Sequence, residues 1–173
     1  MACGSKGGYR VRPIREDELP LLKDFLYEAV FVPEGAQPPP RDIVDKPELR
    51  VYTDGFGTRR GDNCLVADIG GKPVGAVWTR IMDDYGHVDD ETPSFAIAVL
   101  GGCRGRGIGS RLLADMLGVL KGQGYARASL AVQKANYAVR MYEKAGFQTV
   151  RENSEEYIMV CCLDCLRVGG RSR

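Results

Sequence analysis

The stretch Val-Leu-Gly-Gly-Cys-Arg-Gly-Arg-Gly-Ile-Gly-Ser-Arg-Leu-Leu, residues 99 to 113, decides how the chain folds. An apolar run from Phe95 to Leu100 enters it and an amphipathic run from Ile108 to Leu120 leaves it, which predicts a strand, a tight loop and a helix start. Gly105, Gly107 and Gly109 strip side chains from the loop, so backbone amides can approach a ligand directly. The first helical turn leaves N–H groups without intrahelical partners, and the helix dipole adds partial positive charge there. An anion, phosphate above all, is the natural guest, and Arg104 and Arg106 add full charges.

Two familiar phosphate loops do not match. A Walker loop ends in Gly-Lys-Ser/Thr, whereas Gly109 is followed by Ser110 and Arg111. A dinucleotide fingerprint reads Gly-x-Gly-x-x-Gly, with an acid about 20 residues on. Here the spacing is Gly-x-Gly-x-Gly, and no acid ends the next strand-like run, Tyr125 to Val132.

Downstream the chain keeps a regular order. The helix after the loop carries Ile108, Leu112, Leu113, Met116, Leu117 and Leu120 as one apolar stripe and ends at Gly122 and Gly124. After the Tyr125 to Val132 strand, Asn136 stands where a helix begins, and Ala138, Met141, Tyr142 and Ala145 recur at helical spacing up to Gly146. Phe147 to Arg151 and Tyr157 to Leu163 read as a closing hairpin.

Upstream, Tyr9 to Ile14 reads as a first strand and Leu19 to about Val30 as a helix preceded by acids. Phe31 to Asp45 contains Pro-Glu-Gly-Ala-Gln-Pro-Pro-Pro and reads as a long stiff loop, with a short helix from about Pro47. Cys64 to Ile69 and Val74 to Met82 form a hairpin about Gly70-Gly71. Asp83 to Pro93 is an acidic turn holding His87, Asp89, Asp90 and Glu91. Ser94 to Leu100 is apolar at both parities, as expected of a central strand covered on both faces.

Composition narrows the class. A chain of 173 residues has room for one sizeable core, which predicts a single domain over residues 1 to 165 and a disordered basic tail over 166 to 173. Lys and Arg number 24 against 23 Asp and Glu, so no net field favours nucleic acid or a membrane surface as partner. The chain offers neither a run of membrane-spanning length nor an N-terminal hydrophobic segment, so a cytoplasmic location is expected. Six cysteines are too sparse for a disulfide scaffold. Cys162-x-x-Cys165 is half of a zinc site without a second half, since His87 is the one histidine; no metal is expected. Cys103, beside the anion loop, is a candidate oxidation-prone thiol.

Taken together, Arg104-x-x-Gly107-x-Gly109 after a buried strand, then the Asn136-headed helix ending in Tyr-Glu-Lys-Ala-Gly-Phe, resembles the GNAT acyltransferases. The resemblance spans about Tyr9 to Leu163. It implies an α/β (α+β) fold: a mixed, mostly antiparallel sheet of about seven strands, splayed between strands 4 and 5, with about four helices. Acetyl-CoA would lie in the opening, with Val99 offering backbone hydrogen bonds to the pantetheine arm. Arg104, Gly105, Arg106, Gly107, Ile108, Gly109 and Ser110 would hold the pyrophosphate, and Asn136 would orient the cofactor.

The activity so implied is acetyl transfer to a primary amine of a small molecule, protein or peptide by direct attack on the thioester. Tyr142 is the expected general acid for the leaving thiolate, since a phenol is protonated at neutral pH. Many relatives place a glutamate at the start of the central strand, where this chain has Pro93-Ser94-Phe95. Glu91, just upstream, is the candidate base, with Asp89, Asp90 and His87 as other groups in reach of the role. That departure keeps a second reading open, a non-catalytic acyl-CoA-binding regulatory module. A homodimer is a family-level expectation.

Overall fold

The strand that enters the glycine loop is the middle of a seven-stranded sheet. The structure, a computed structural model, describes residues 8–166. In chain order the strands are β1 (Arg10–Pro13), β2 (Asn63–Ile69), β3 (Lys72–Arg80), β4 (Ser94–Val99), β5 (Arg127–Gln133), β6 (Phe147–Glu152) and β7 (Glu156–Cys162). They lie in the order β1-β2-β3-β4-β5-β7-β6. Every neighbouring pair is antiparallel except β4 and β5, which run parallel.

That parallel pair barely meets. Ser94 and Ser129 are its one register pair, supported by the Ser129 N–H donating to the Pro93 carbonyl at 2.9 Å. The remaining strand pairs continue their ladders over four to seven residues. The strands therefore diverge from Ser94 toward Val99, and the expected splay between the fourth and fifth strands is present.

Helices α1 (Leu21–Ala29), α2 (Pro47–Arg50), α3 (Ile108–Gly122) and α4 (Val139–Lys144) flank the sheet. The inward residues of α1, Leu22, Phe25 and Leu26, pack with Ala76, Trp78 and Ala98 on one face. The apolar stripe of α3 packs on the other face with Leu65, Val77 and Phe95, in a cluster that includes Tyr142 and Phe147. β4 thus buries side chains of both parities, as its unbroken apolar pattern predicts.

Sequence expectations and structure differ mainly at element ends. The stiff loop after α1 contains a 3-10 turn, Arg41–Asp45, that its prolines had disguised. α2 is a single turn, and α4 begins at Val139 rather than at Asn136. The expected tail lies outside the described residues from 167 onward. No helix among the described residues is long and apolar enough to cross a membrane.

Candidate active site

The divergence of β4 and β5 opens a cavity of about 1110 Å³. Val99, the last residue of β4, lines it together with Tyr142 and Asn136 from the α4 side. The loop contributes Arg104, Gly105 and the run Gly107 to Ser110. Sequence reasoning therefore places nine of its eleven site residues on one cavity. The two exceptions are Arg106 and Glu91, which do not line it.

The loop exposes backbone amides at the start of α3, as its glycines predict. Gly107 caps α3 with φ of 76°, a left-handed backbone that strains other residues. The first bond into the helix is Arg111 N–H to the Gly107 carbonyl, 3.1 Å, which leaves the amides of Ile108, Gly109 and Ser110 directed out of the helix end. Gly109 also lies against α4: a Cβ there would stand 3.4 Å from Met141 Sδ.

Arg104 reaches back over β4. Its Nε donates to the Val99 carbonyl at 2.8 Å, and its guanidinium pairs with Glu28 at 3.3 Å. The Val99 carbonyl expected to serve the cofactor is thus held by the chain's own arginine. Asn136 Oδ1 accepts from the Ala138 amide at 2.9 Å and shapes the turn into α4.

Tyr142 is buried on the first face of α4, its ring edge-on to Phe147 with centroids 5.9 Å apart. Burial, with a lesser contribution from Tyr137, pushes its phenol above the ordinary value of 10.0. It remains a proton donor throughout the neutral range.

The acidic turn behaves differently from expectation. Glu91 is exposed, and its amide caps onto Asp89. Asp89 is ion-paired to Arg127 at 2.7 Å, and its carboxyl is held below the usual range, chiefly by the Thr92 hydroxyl. His87 donates from Nδ1 to the Met82 carbonyl at 2.9 Å. None of these residues lines the cavity; of the turn, Tyr85 does. Cys103 is buried at the start of the loop, which removes the exposure its proposed oxidation requires.

Sequence reasoning missed the clamp that fixes the Tyr52 wall of the cavity. Arg80, fully buried at the end of β3, forms a two-point ion pair with Asp62 at 2.7 and 2.8 Å. Its remaining nitrogen donates to the carbonyls of Val51 and Asp54 at 3.0 and 2.6 Å. Trp78 Nε1 donates to the Tyr52 carbonyl at 3.2 Å. The loop after α2 is tied to β3, and Tyr52 is presented to the cavity. An uncharged-looking strand ending in a lone arginine was the available signal.

No curated protein matches the chain significantly by sequence. Among solved structures, an N-acetyltransferase from Staphylococcus aureus Mu50 superposes with a TM-score of 0.67 at 17% identity, over 91% of this chain and 99% of that one. YncA of Salmonella typhimurium, a putative acetyltransferase solved with acetyl-CoA, gives 0.67 at 15% identity, over 96% of this chain and 100% of that one. The ribosomal-protein-S18-alanine N-acetyltransferase of Escherichia coli gives 0.64 at 18%, over 93% and 97%. These likenesses share the fold. The model of the acetyltransferase (GNAT) family matches residues 27–147, most of the chain, and the chain belongs to that family.

Proposed function

We propose that this chain transfers the acetyl group of acetyl-CoA to a primary amine of a small molecule or peptide by direct attack. The observation that carries the reading is the opening between β4 and β5, with an amide-rich loop bearing Arg104 at one end and a buried phenol on its wall. The residues suit the cosubstrate. A diphosphate fits the outward amides of Ile108, Gly109 and Ser110, to which Arg104 and Arg106 lend charge. An apolar, elongated arm fits the strand edge left unpaired beyond Ser94. That a fold relative is solved with acetyl-CoA supports the same assignment.

The chain's residues divide the chemistry. Arg104 leaves the Val99 carbonyl for the anion, which frees that carbonyl for the arm. Backbone N–H groups near Val99 stabilise negative charge developing on the thioester oxygen. The amine nitrogen bonds to the carbonyl carbon, the carbon–sulfur bond breaks, and Tyr142 gives its proton to the departing sulfur. Glu91, exposed and away from the cavity, is not assigned the proton from the amine.

The acceptor enters past the segment between α1 and Tyr52, whose Glu34 and Glu48 line the cavity with Lys46, while Glu28 at the end of α1 is paired with Arg104. That acidic excess favours a cationic amine over an acidic one. The test is thiol release from acetyl-CoA in the presence of polyamines, aminoglycosides, amino acids and short peptides. Acceptor-dependent release supports the reading. Coenzyme A that fails to raise the Tm rejects it at its first step.

A further inference from the structure

A buried carboxylate lies behind the acceptor side of the cavity. Asp84 Oδ2 accepts from the Tyr52 hydroxyl and from Ser94 Oγ, each at 2.7 Å. Asp84 Oδ1 is buried with no hydrogen-bond partner, and so is Oγ of Ser129, the register partner of Ser94. A lone buried carboxylate oxygen is costly, so the arrangement needs a reason beyond packing.

The geometry is firm on every side. Gly86 presses the Asp84 loop onto the closed end of the splay, where a Cβ would stand 2.7 Å from Ser94 Oγ and 2.9 Å from the Ala131 amide. Trp78 and Arg80 hold the backbone of Tyr52 and Val51. Tyr52 lines the cavity and Asp84 does not, so the phenol stands between the cavity and the carboxylate. Ser94 begins β4 and Val99 ends it, so this pair and the anion loop flank opposite ends of the opening.

We propose that Tyr52 and Asp84 form the relay that accepts the proton lost by the attacking amine. The acceptor arrives as an ammonium; one of its N–H protons passes to Tyr52 Oη as the Tyr52 hydroxyl proton passes to the ionised Asp84 Oδ2. The products are a neutral amine, an intact phenol and a neutral carboxylic acid, so charge and protons balance. Tyr52 is the group that touches the acceptor; Asp84 acts through it.

The electrostatics agree. Burial raises the Asp84 carboxyl above 3.8 against the opposing effect of Tyr52, Ser94 and the Gly86 and Asp84 amides, which makes it a better proton acceptor. Burial and then Asp84 raise the Tyr52 phenol well above 10.0, so it stays a relay and is not trapped as phenolate. Tyr85 and Glu156, the other titratable groups facing Tyr52, push the same way.

This inference rests on amine acetylation, and the experiment separates the two. Thiol release is followed from pH 5.5 to 9.5 with the amine panel for wild type, Asp84→Asn and Tyr52→Phe, with acetyl-CoA Kd measured for each. Both variants are expected to lose roughly 100-fold in turnover at pH 7 while Kd stays within about twofold. Their deficit should shrink toward high pH, where solvent deprotonates the amine, which a packing defect would not do. A deficit equal at all pH values, or an Asp84→Asn profile like wild type, overturns the relay.

An infrared difference spectrum, wild type minus Asp84→Asn, follows the same carboxyl without turnover. A carboxylate band at pH 7 that gives way to a carboxylic-acid band on acidification, and that shifts in Tyr52→Phe, is expected. An Asp84 already protonated at pH 7, and so unable to accept the proton, overturns the relay. Wild type that turns over no amine refutes the acetylation reading, and the infrared result then decides the relay alone.

Discussion

Ser94 and Ser129 are the one register pair that holds β4 beside β5 among the described residues, and beyond it the strands part. The opening therefore closes at one register pair and its adjoining Ser129 N–H to Pro93 bond, over which the Asp84 loop is pressed by Gly86. Replacing Gly86 by alanine puts a methyl 2.7 Å from Ser94 Oγ and 2.9 Å from backbone atoms of Leu130 and Ala131. The backbone cannot swing aside as a side chain would. A cost of about 1–3 kcal/mol follows, or roughly 3–10 °C in Tm. An unchanged Tm on calorimetry would contradict this packing.

Tyr142→Phe removes the proton donor and keeps the ring that packs on Phe147. Acetyl-CoA affinity should hold while turnover falls about 100-fold, the range of a lost general acid. Since burial raises the Tyr142 phenol above 10.0, wild type should lose no activity through Tyr142 ionisation below that pH. Steady-state kinetics of both proteins to pH 10 check the two statements. Equal turnover would remove Tyr142 from the chemistry.

The buried Arg80–Asp62 pair holds the loop that bears Tyr52. Asp62→Asn alone leaves a fully buried guanidinium without its counter-ion, a change that costs about 3–5 kcal/mol in comparable pairs. Removing both charges, as Arg80→Met with Asp62→Leu, should restore part of that loss. Denaturation midpoints of the single and double variants decide it. A double variant no more stable than Asp62→Asn would mean the pair contributes more than cancellation of charge.

Acid stability should depend on a second cluster far from the cavity. Arg12 binds Glu18 through two hydrogen bonds of 2.7 Å and also pairs with Asp68 at 2.7 Å. Arg12, aided by the Arg15 amide, lowers the Glu18 carboxyl from 4.5 to about 2 against the opposing effect of burial. A depressed folded-state value means that the contribution is full above 4.5 and is lost as pH falls toward 2. Tm should thus decline through that window, and Glu18→Gln should flatten the decline while lowering Tm at neutral pH. A slope unchanged by Glu18→Gln would place the acid sensitivity elsewhere.

The readable half of the molecule is the half whose signals are local. Period, glycine spacing and caps lie within a few residues of one another, so β4, the loop, α3 and the Asn136-to-Phe147 segment were legible, and with them most of the cavity lining from Val99 to Tyr142. The wall that bears Tyr52 is built from residues distant in sequence. Arg80 meets Asp62 across 18 residues and Tyr52 meets Asp84 across 32, and no periodicity links such partners. Glu91 looked suitable because it lies near β4 in sequence. The turn instead directs Asp84 inward and leaves Glu91 in solvent. Arg12, Glu18 and Asp68 were equally hidden, each an ordinary surface type until paired.

None of the five described cysteines is in a disulfide, and they are not equivalent. Cys162 and Cys165, both exposed after β7, place their sulfurs 2.7 Å apart. The Cys165 thiol, then the Cys165 and Asp164 amides, lower the Cys162 thiol from 9.0, while the same pairing raises Cys165. Cys64 is buried and raised, Cys161 is pushed up by burial to about 11, and Cys103 is buried. Thiolate is the reactive form, so iodoacetamide at pH 7 should alkylate Cys162 first. Cys165→Ala removes the hydrogen bond that stabilises the thiolate and should slow that alkylation severalfold, since the amides remain. Peptide mapping over a time course reads both rates. Labelling of Cys103 or Cys161 ahead of Cys162 would mean that the end of β7 and the loop before α3 are more open than their packing implies.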